Sequence, residues 1–102
     1  METHRTALLT DLYQLNMLAA YLDHGLEDTA VFELFVRKLP ARRGFLMAAG
    51  LEQALSYLEN LSFSRADIAA GRSLESLPES LLAYLAQIRF TGDVDALPEG
   101  TI

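Results

Sequence analysis

Leucine recurs at three- and four-residue steps in three separate blocks of this chain, each flanked by glycine or proline, which commits much of it to short amphipathic helices. In the first block Leu12, Leu15, Ala19 and Leu22 form one apolar stripe, and Tyr13, Met17 and Tyr21 form a second beside it. Thr10 is the predicted N-cap, Asp11 suits the positive end of the helix dipole, and Gly25 is the stop signal. The second block buries Leu51, Ala54, Leu55, Leu58 and Leu61. In the third, Pro78 suits the first turn, and Leu81, Leu82, Leu85 and Ile88 face inward. Between these two, Ser64 with Asp67 makes a capping-box-like start for a short helix closing near Gly71.

From Ala30 to Leu39 the pattern changes to a strand rich in Val and Phe, ended by Pro40. Period two places Val31, Glu33, Phe35 and Arg37 on one face and Phe32, Leu34, Val36 and Lys38 on the other. After Phe90-Thr91-Gly92 a second short strand is predicted around Asp93 to Leu97. Pro98-Glu99-Gly100 then makes a turn, and Thr101 and Ile102 open a returning strand. The expectation is an α+β fold, helices packed on a small, mostly antiparallel sheet, in one domain over residues 1–102. A hairpin that stops as its second strand begins leaves backbone groups unpaired, so the segment is expected to be truncated. There is no internal repeat, low-complexity tract or flexible linker.

With 102 residues, 51% of them hydrophobic, one modest core is within reach. The formal charge of -6 argues against nucleic acid, whose binders present a broad positive face. Any anion site must be local, and Arg37, Lys38, Arg42 and Arg43 supply a basic cluster whose alternative is a solvated loop. Cysteine is absent, which excludes disulfides and thiolate zinc sites. No apolar stretch is long enough for a membrane span, and a cytoplasmic protein is the expectation.

No complete catalytic set is present. His4 and His24 lack metal-ligand partners at helical spacing, no serine stands in a nucleophile elbow, and Gly44 and Gly50 lack the spacing of phosphate-loop fingerprints. Binding residues remain. Tyr13 could stack on a flat heteroaromatic ligand, or belong to a core or interface stripe. Asp11 could orient that ligand, or be only a helix-start acid. Arg37 could hold phosphate through a two-pronged contact, or pair with Glu33 or another acid.

The wording Thr10-Asp11-Leu12-Tyr13-Gln14, then Phe35-Val36-Arg37-Lys38-Leu39-Pro40, Gly44-Phe45-Leu46-Met47-Ala48-Ala49-Gly50-Leu51 and Phe90-Thr91-Gly92-Asp93-Val94, resembles the amino-terminal segment of nicotinate phosphoribosyltransferase almost end to end. The resemblance implies a two-domain enzyme whose α/β barrel and transiently phosphorylated histidine lie downstream, so that no catalytic residue falls in this segment. It implies the joining of nicotinate to phosphoribosyl pyrophosphate, coupled to ATP hydrolysis with magnesium, to give nicotinate mononucleotide in NAD salvage. It implies a homodimer with a shared active site, in which Tyr13 stacks on nicotinate in the partner's site, Asp11 accompanies it and Arg37 meets phosphate. Lys38 and Arg43 are the weaker phosphate candidates. At Asn16 the family more often has threonine, which removes a hydroxyl contact there and leaves the stacking role. The segment alone is expected to bind no cofactor and to be inactive. The rival readings are a stand-alone helical interaction domain and a relative using nicotinamide or quinolinate.

Overall fold

The computed structural model describes residues 7–8, 10–74 and 76–102, and His4 lies outside them. Four helices form among these residues: α1 (Leu12–Asp23), α2 (Leu51–Glu59), α3 (Arg65–Arg72) and α4 (Glu79–Leu85). Each boundary follows from local chemistry. α1 begins one residue later than the Thr10 cap predicts, with Asp11 as N-cap and no side-chain bond to a free N–H. It ends in a Schellman motif: the N–H of Leu26 donates to the Tyr21 carbonyl (2.9 Å), and that of Gly25 to Leu22 (3.2 Å). Gly25 takes the left-handed conformation this requires, at φ 63°. The predicted capping box of α3 is present, with Ser64 Oγ accepting from the Asp67 N–H (3.1 Å) and Asp67 accepting from the Ser64 N–H (2.7 Å).

α4 is the centre of the core. Leu81 is fully buried, Leu82 and Leu85 nearly so, and Leu15 and Leu77 complete the buried set. Leu18, Ala19, Leu22, Phe63 and Ile68 pack around them, so α1 and α3 both lie against α4. α3 closes at Arg72, beside Gly71 as the sequence predicts, but Gly71 also has a packing role. It is buried within α3, where a Cβ would come within 3.2 Å of Leu82 Cδ2 and 3.6 Å of Leu77 Cδ1. Its missing side chain lets α3 approach α4.

The expected sheet does not form, and the α+β assignment is corrected to four helices with no strand among the described residues. The physical reason is the absence of a partner. Residues 30–36 form no strand and Arg37 and Lys38 make a bend; Val31, Phe32 and Leu34 are almost wholly exposed, and Phe35 and Val36 are also exposed. A segment apolar on both faces becomes a strand only when neighbours cover both faces and pair its backbone. The segment around Asp93 to Leu97 is likewise no strand. Among the described residues, backbone pairing between distant segments occurs where Ala48 donates to the Thr101 carbonyl and accepts from the Gly100 N–H, both at 2.7 Å.

A second correction concerns α2, which buries none of its residues; Leu51 and Leu58 are half-buried and Leu55 is exposed. The helix touches none of the other three. The chain accordingly exposes 9124 Å², where a folded monomer of 11.3 kDa exposes about 5,700 Å². Its radius of gyration is 16.6 Å, against about 13 Å for a close-packed domain of this length.

Candidate functional site

Residues 10–14 enter α1 at its exposed end. Asp11 holds an extended backbone (φ −78°, ψ 145°), which releases its side chain from the helix and leaves the carboxylate exposed. Tyr13 follows in the first turn, 56% exposed, and its hydroxyl accepts from Gln14 Nε2 at 3.0 Å. The stripe of Leu15, Ala19 and Leu22 turns toward α4, and that rotation places Tyr13, Met17 and Tyr21 on the outward side. Within the described residues the Tyr13 ring is half exposed and takes no part in the core around α4.

The basic cluster comes next along the chain, at residues 37–43. Arg37 and Lys38 occupy a bend that follows the exposed segment 30–36, so the strand end expected to fix Arg37 is not formed. Arg37 makes no ion pair with Glu33; among the described residues the one ion pair is Arg72 with Glu79. Pro40 to Arg43 is a tight turn closed by the Arg43 N–H donating to the Pro40 carbonyl at 3.1 Å, with Arg42 at φ 67°. All four cations are exposed. No hydrogen bond among the described residues joins Asp11 or Tyr13 to Arg37, Lys38 or Arg43.

One polar contact escaped the sequence reading. The Glu99 carboxylate accepts from the backbone N–H groups of Gly50 (2.8 Å) and Leu51 (3.0 Å), capping α2 from the turn at 98–101. Nothing local announces it, since the partners are 48 and 49 positions apart in sequence. Only the turn was legible: Thr101 N–H donates to the Pro98 carbonyl at 3.1 Å, and Gly100 takes φ 85°.

The Arg72–Glu79 pair ties α3 to the start of α4 at 2.5 Å. Its hydrogen bond and charge hold the Glu79 carboxyl below the usual carboxylate range and raise the Arg72 guanidinium further. The pair belongs to the scaffold. The described residues contain no group of three or more His, Asp or Glu side chains placed to hold a metal ion, and no helix long and apolar enough to cross a membrane.

A family model described as the nicotinate phosphoribosyltransferase (NAPRTase) N-terminal domain matches residues 8–102. The chain is 46% identical over 99 residues to nicotinate phosphoribosyltransferase pncB2 of Mycobacterium tuberculosis, covering 97% of this chain and 21% of that protein. It is 48% identical over 64 residues to nicotinate phosphoribosyltransferase of Bacillus subtilis, covering 62% of this chain and 13% of the relative. With nicotinate phosphoribosyltransferase of Homo sapiens the identity is 36% over 100 residues, 93% of this chain and 18% of that protein. The chain spans about a fifth of the length of these curated relatives.

Proposed function

Since this chain belongs to the nicotinate phosphoribosyltransferase family and matches its N-terminal domain over residues 8–102, we propose that the full-length protein joins nicotinate to phosphoribosyl pyrophosphate. The products are nicotinate mononucleotide and pyrophosphate, in NAD salvage, with ATP hydrolysis coupled to the transfer. The protein works as a cytoplasmic homodimer with a shared active site. In this reading the pyridine nitrogen attacks the anomeric carbon as pyrophosphate departs, so the protein's work is positioning and charge stabilisation.

This segment contributes binding groups. Tyr13 stacks on the pyridine ring of nicotinate, with Asp11 beside it as a hydrogen-bond acceptor. Arg37 holds phosphate, with Lys38 and Arg43 as secondary contacts. The observation that carries the reading is the outward position of Tyr13 within the Thr10–Gln14 motif, half exposed on a helix whose other stripe is anchored to α4. In this reading the site is assembled from two subunits, and Tyr13 of one protomer reaches nicotinate in the site of its partner.

The test is conversion of nicotinate to its mononucleotide by the full-length protein, with phosphoribosyl pyrophosphate and with or without ATP. Nicotinamide and quinolinate are run in parallel. Turnover of nicotinate above both is expected. Preference for either competitor would reassign the substrate, and no turnover of any would overturn the transferase reading. Tyr13→Ala is expected to raise the nicotinate KM and leave the fold intact, whereas Arg37→Ala raises chiefly the KM for phosphoribosyl pyrophosphate.

A further inference from the structure

Arg42 stands out when the two proline turns of the chain are compared. In both, the N–H of the fourth residue donates to the proline carbonyl at 3.1 Å: Arg43 to Pro40, and Thr101 to Pro98. In both, the third residue is left-handed, at φ 67° for Arg42 and 85° for Gly100. Such a turn asks for glycine at that position, because a Cβ crowds the neighbouring carbonyl there. The chain supplies glycine at Gly25, Gly50 and Gly100, and Arg42 is the exception among the described residues.

Within the described residues nothing offsets this strain. The Arg42 side chain is exposed and pairs with no acid, and the turn is closed by the single Arg43 to Pro40 bond. Its neighbours add to the imbalance. Arg37, Lys38, Arg42 and Arg43 gather four of the eight Lys and Arg residues of a chain whose formal charge is -6, and none has a carboxylate within ion-pair distance among the described residues. Like charges so close repel one another until an anion stands between them. A strained residue and an unneutralised cluster at one place mark a site whose ligand is a polyanion.

We propose that Arg42 is an additional anion-binding residue, contacting the pyrophosphate group of phosphoribosyl pyrophosphate from the left-handed position of the 40–43 turn. The proposal rests on the phosphoribosyltransferase reading for its substrate, and on the turn geometry for the residue. It separates function from stability: the side chain serves the anion, and the backbone position would be easier for glycine.

The test is Arg42→Gly in the full-length protein, a change that keeps the turn and removes both the strain and the charge. The KM for phosphoribosyl pyrophosphate is expected to rise about tenfold, the loss of one charge-assisted contact. The nicotinate KM stays within twofold, and the thermal midpoint rises. Arg42→Lys, which keeps charge but not the planar fork, falls between. Titration calorimetry with inorganic pyrophosphate supplies a readout independent of turnover, with binding about tenfold weaker in Arg42→Gly. Equal pyrophosphate affinity and unchanged KM in wild type and Arg42→Gly would overturn the proposal. A wild-type protein inactive on nicotinate, but whose pyrophosphate binding still falls in Arg42→Gly, would sink the transferase reading and uphold the anion site.

Discussion

Replacing Glu99 with alanine isolates a contact that joins residues about fifty positions apart and should loosen one helix without touching the core. The carboxylate holds two backbone N–H groups, at 2.8 Å from Gly50 and 3.0 Å from Leu51. N-cap removal costs about 0.5–2 kcal/mol, and a hydrogen bond to a charged group about 1.5–3 kcal/mol. Exposure of this contact places the loss near the lower part of that range, about 1–2 kcal/mol. α2 has no buried residue and no helix packed on it, so the loss should remain local. Hydrogen exchange is the suitable assay. In Glu99→Ala the Ala54 amide, bonded to the Gly50 carbonyl at 3.0 Å, should exchange about 5–30-fold faster. The Ala48 and Gly100 amides, which join the two segments, should accelerate with it. Amides of α4 should be unchanged. Glu99→Gln, keeping one acceptor oxygen and losing the charge, should give a smaller acceleration. Unaltered exchange at Ala54 would refute the capping argument, and an equal rise in α4 would refute the claim that α2 is energetically separate.

Other expectations concern the core and its rim. Leu81→Ala, at a fully buried site in α4, should cost about 2–5 kcal/mol by denaturant titration, a large share of the roughly 5–15 kcal/mol typical of a domain. Gly71→Ala pushes a methyl toward Leu82 Cδ2 at 3.2 Å, so a loss of about 1 kcal/mol or more is expected; a stabilised variant would show that α3 was limited by helix propensity instead. Glu79 has a lowered carboxyl pKa from its bond to Arg72, so its contribution is complete above the ordinary carboxylate range and fades as pH falls through the lowered value. Glu79→Gln should flatten that acid limb of a stability–pH profile and leave its alkaline side alone. Salt should have a similar effect, since both partners are exposed.

The helices and their ends were legible because their causes are short-range. A leucine stripe, the Ser64–Asp67 box and the Gly25 stop act through bonds spanning three to five residues. The Pro98–Thr101 turn is of the same kind. The family wording was legible too, and the comparisons agree with it over residues 8–102. Periodicity, however, records what a segment would do if partnered. Residues 30–39 alternate as a strand does, yet extended backbone becomes sheet only when another segment supplies the opposing donors and acceptors, and none of the described residues does. The same dependence on distant partners left α2 with no buried residue despite its leucines. It also made Gly71 a point of close helix approach, and brought Glu99 to the start of α2. By itself, then, the sequence determined which stretches are helical, where they stop and which family they spell, because those depend on neighbours along the chain. Tertiary structure alone decided which faces are covered and which distant backbone groups pair, because each of these depends on where the rest of the chain lies.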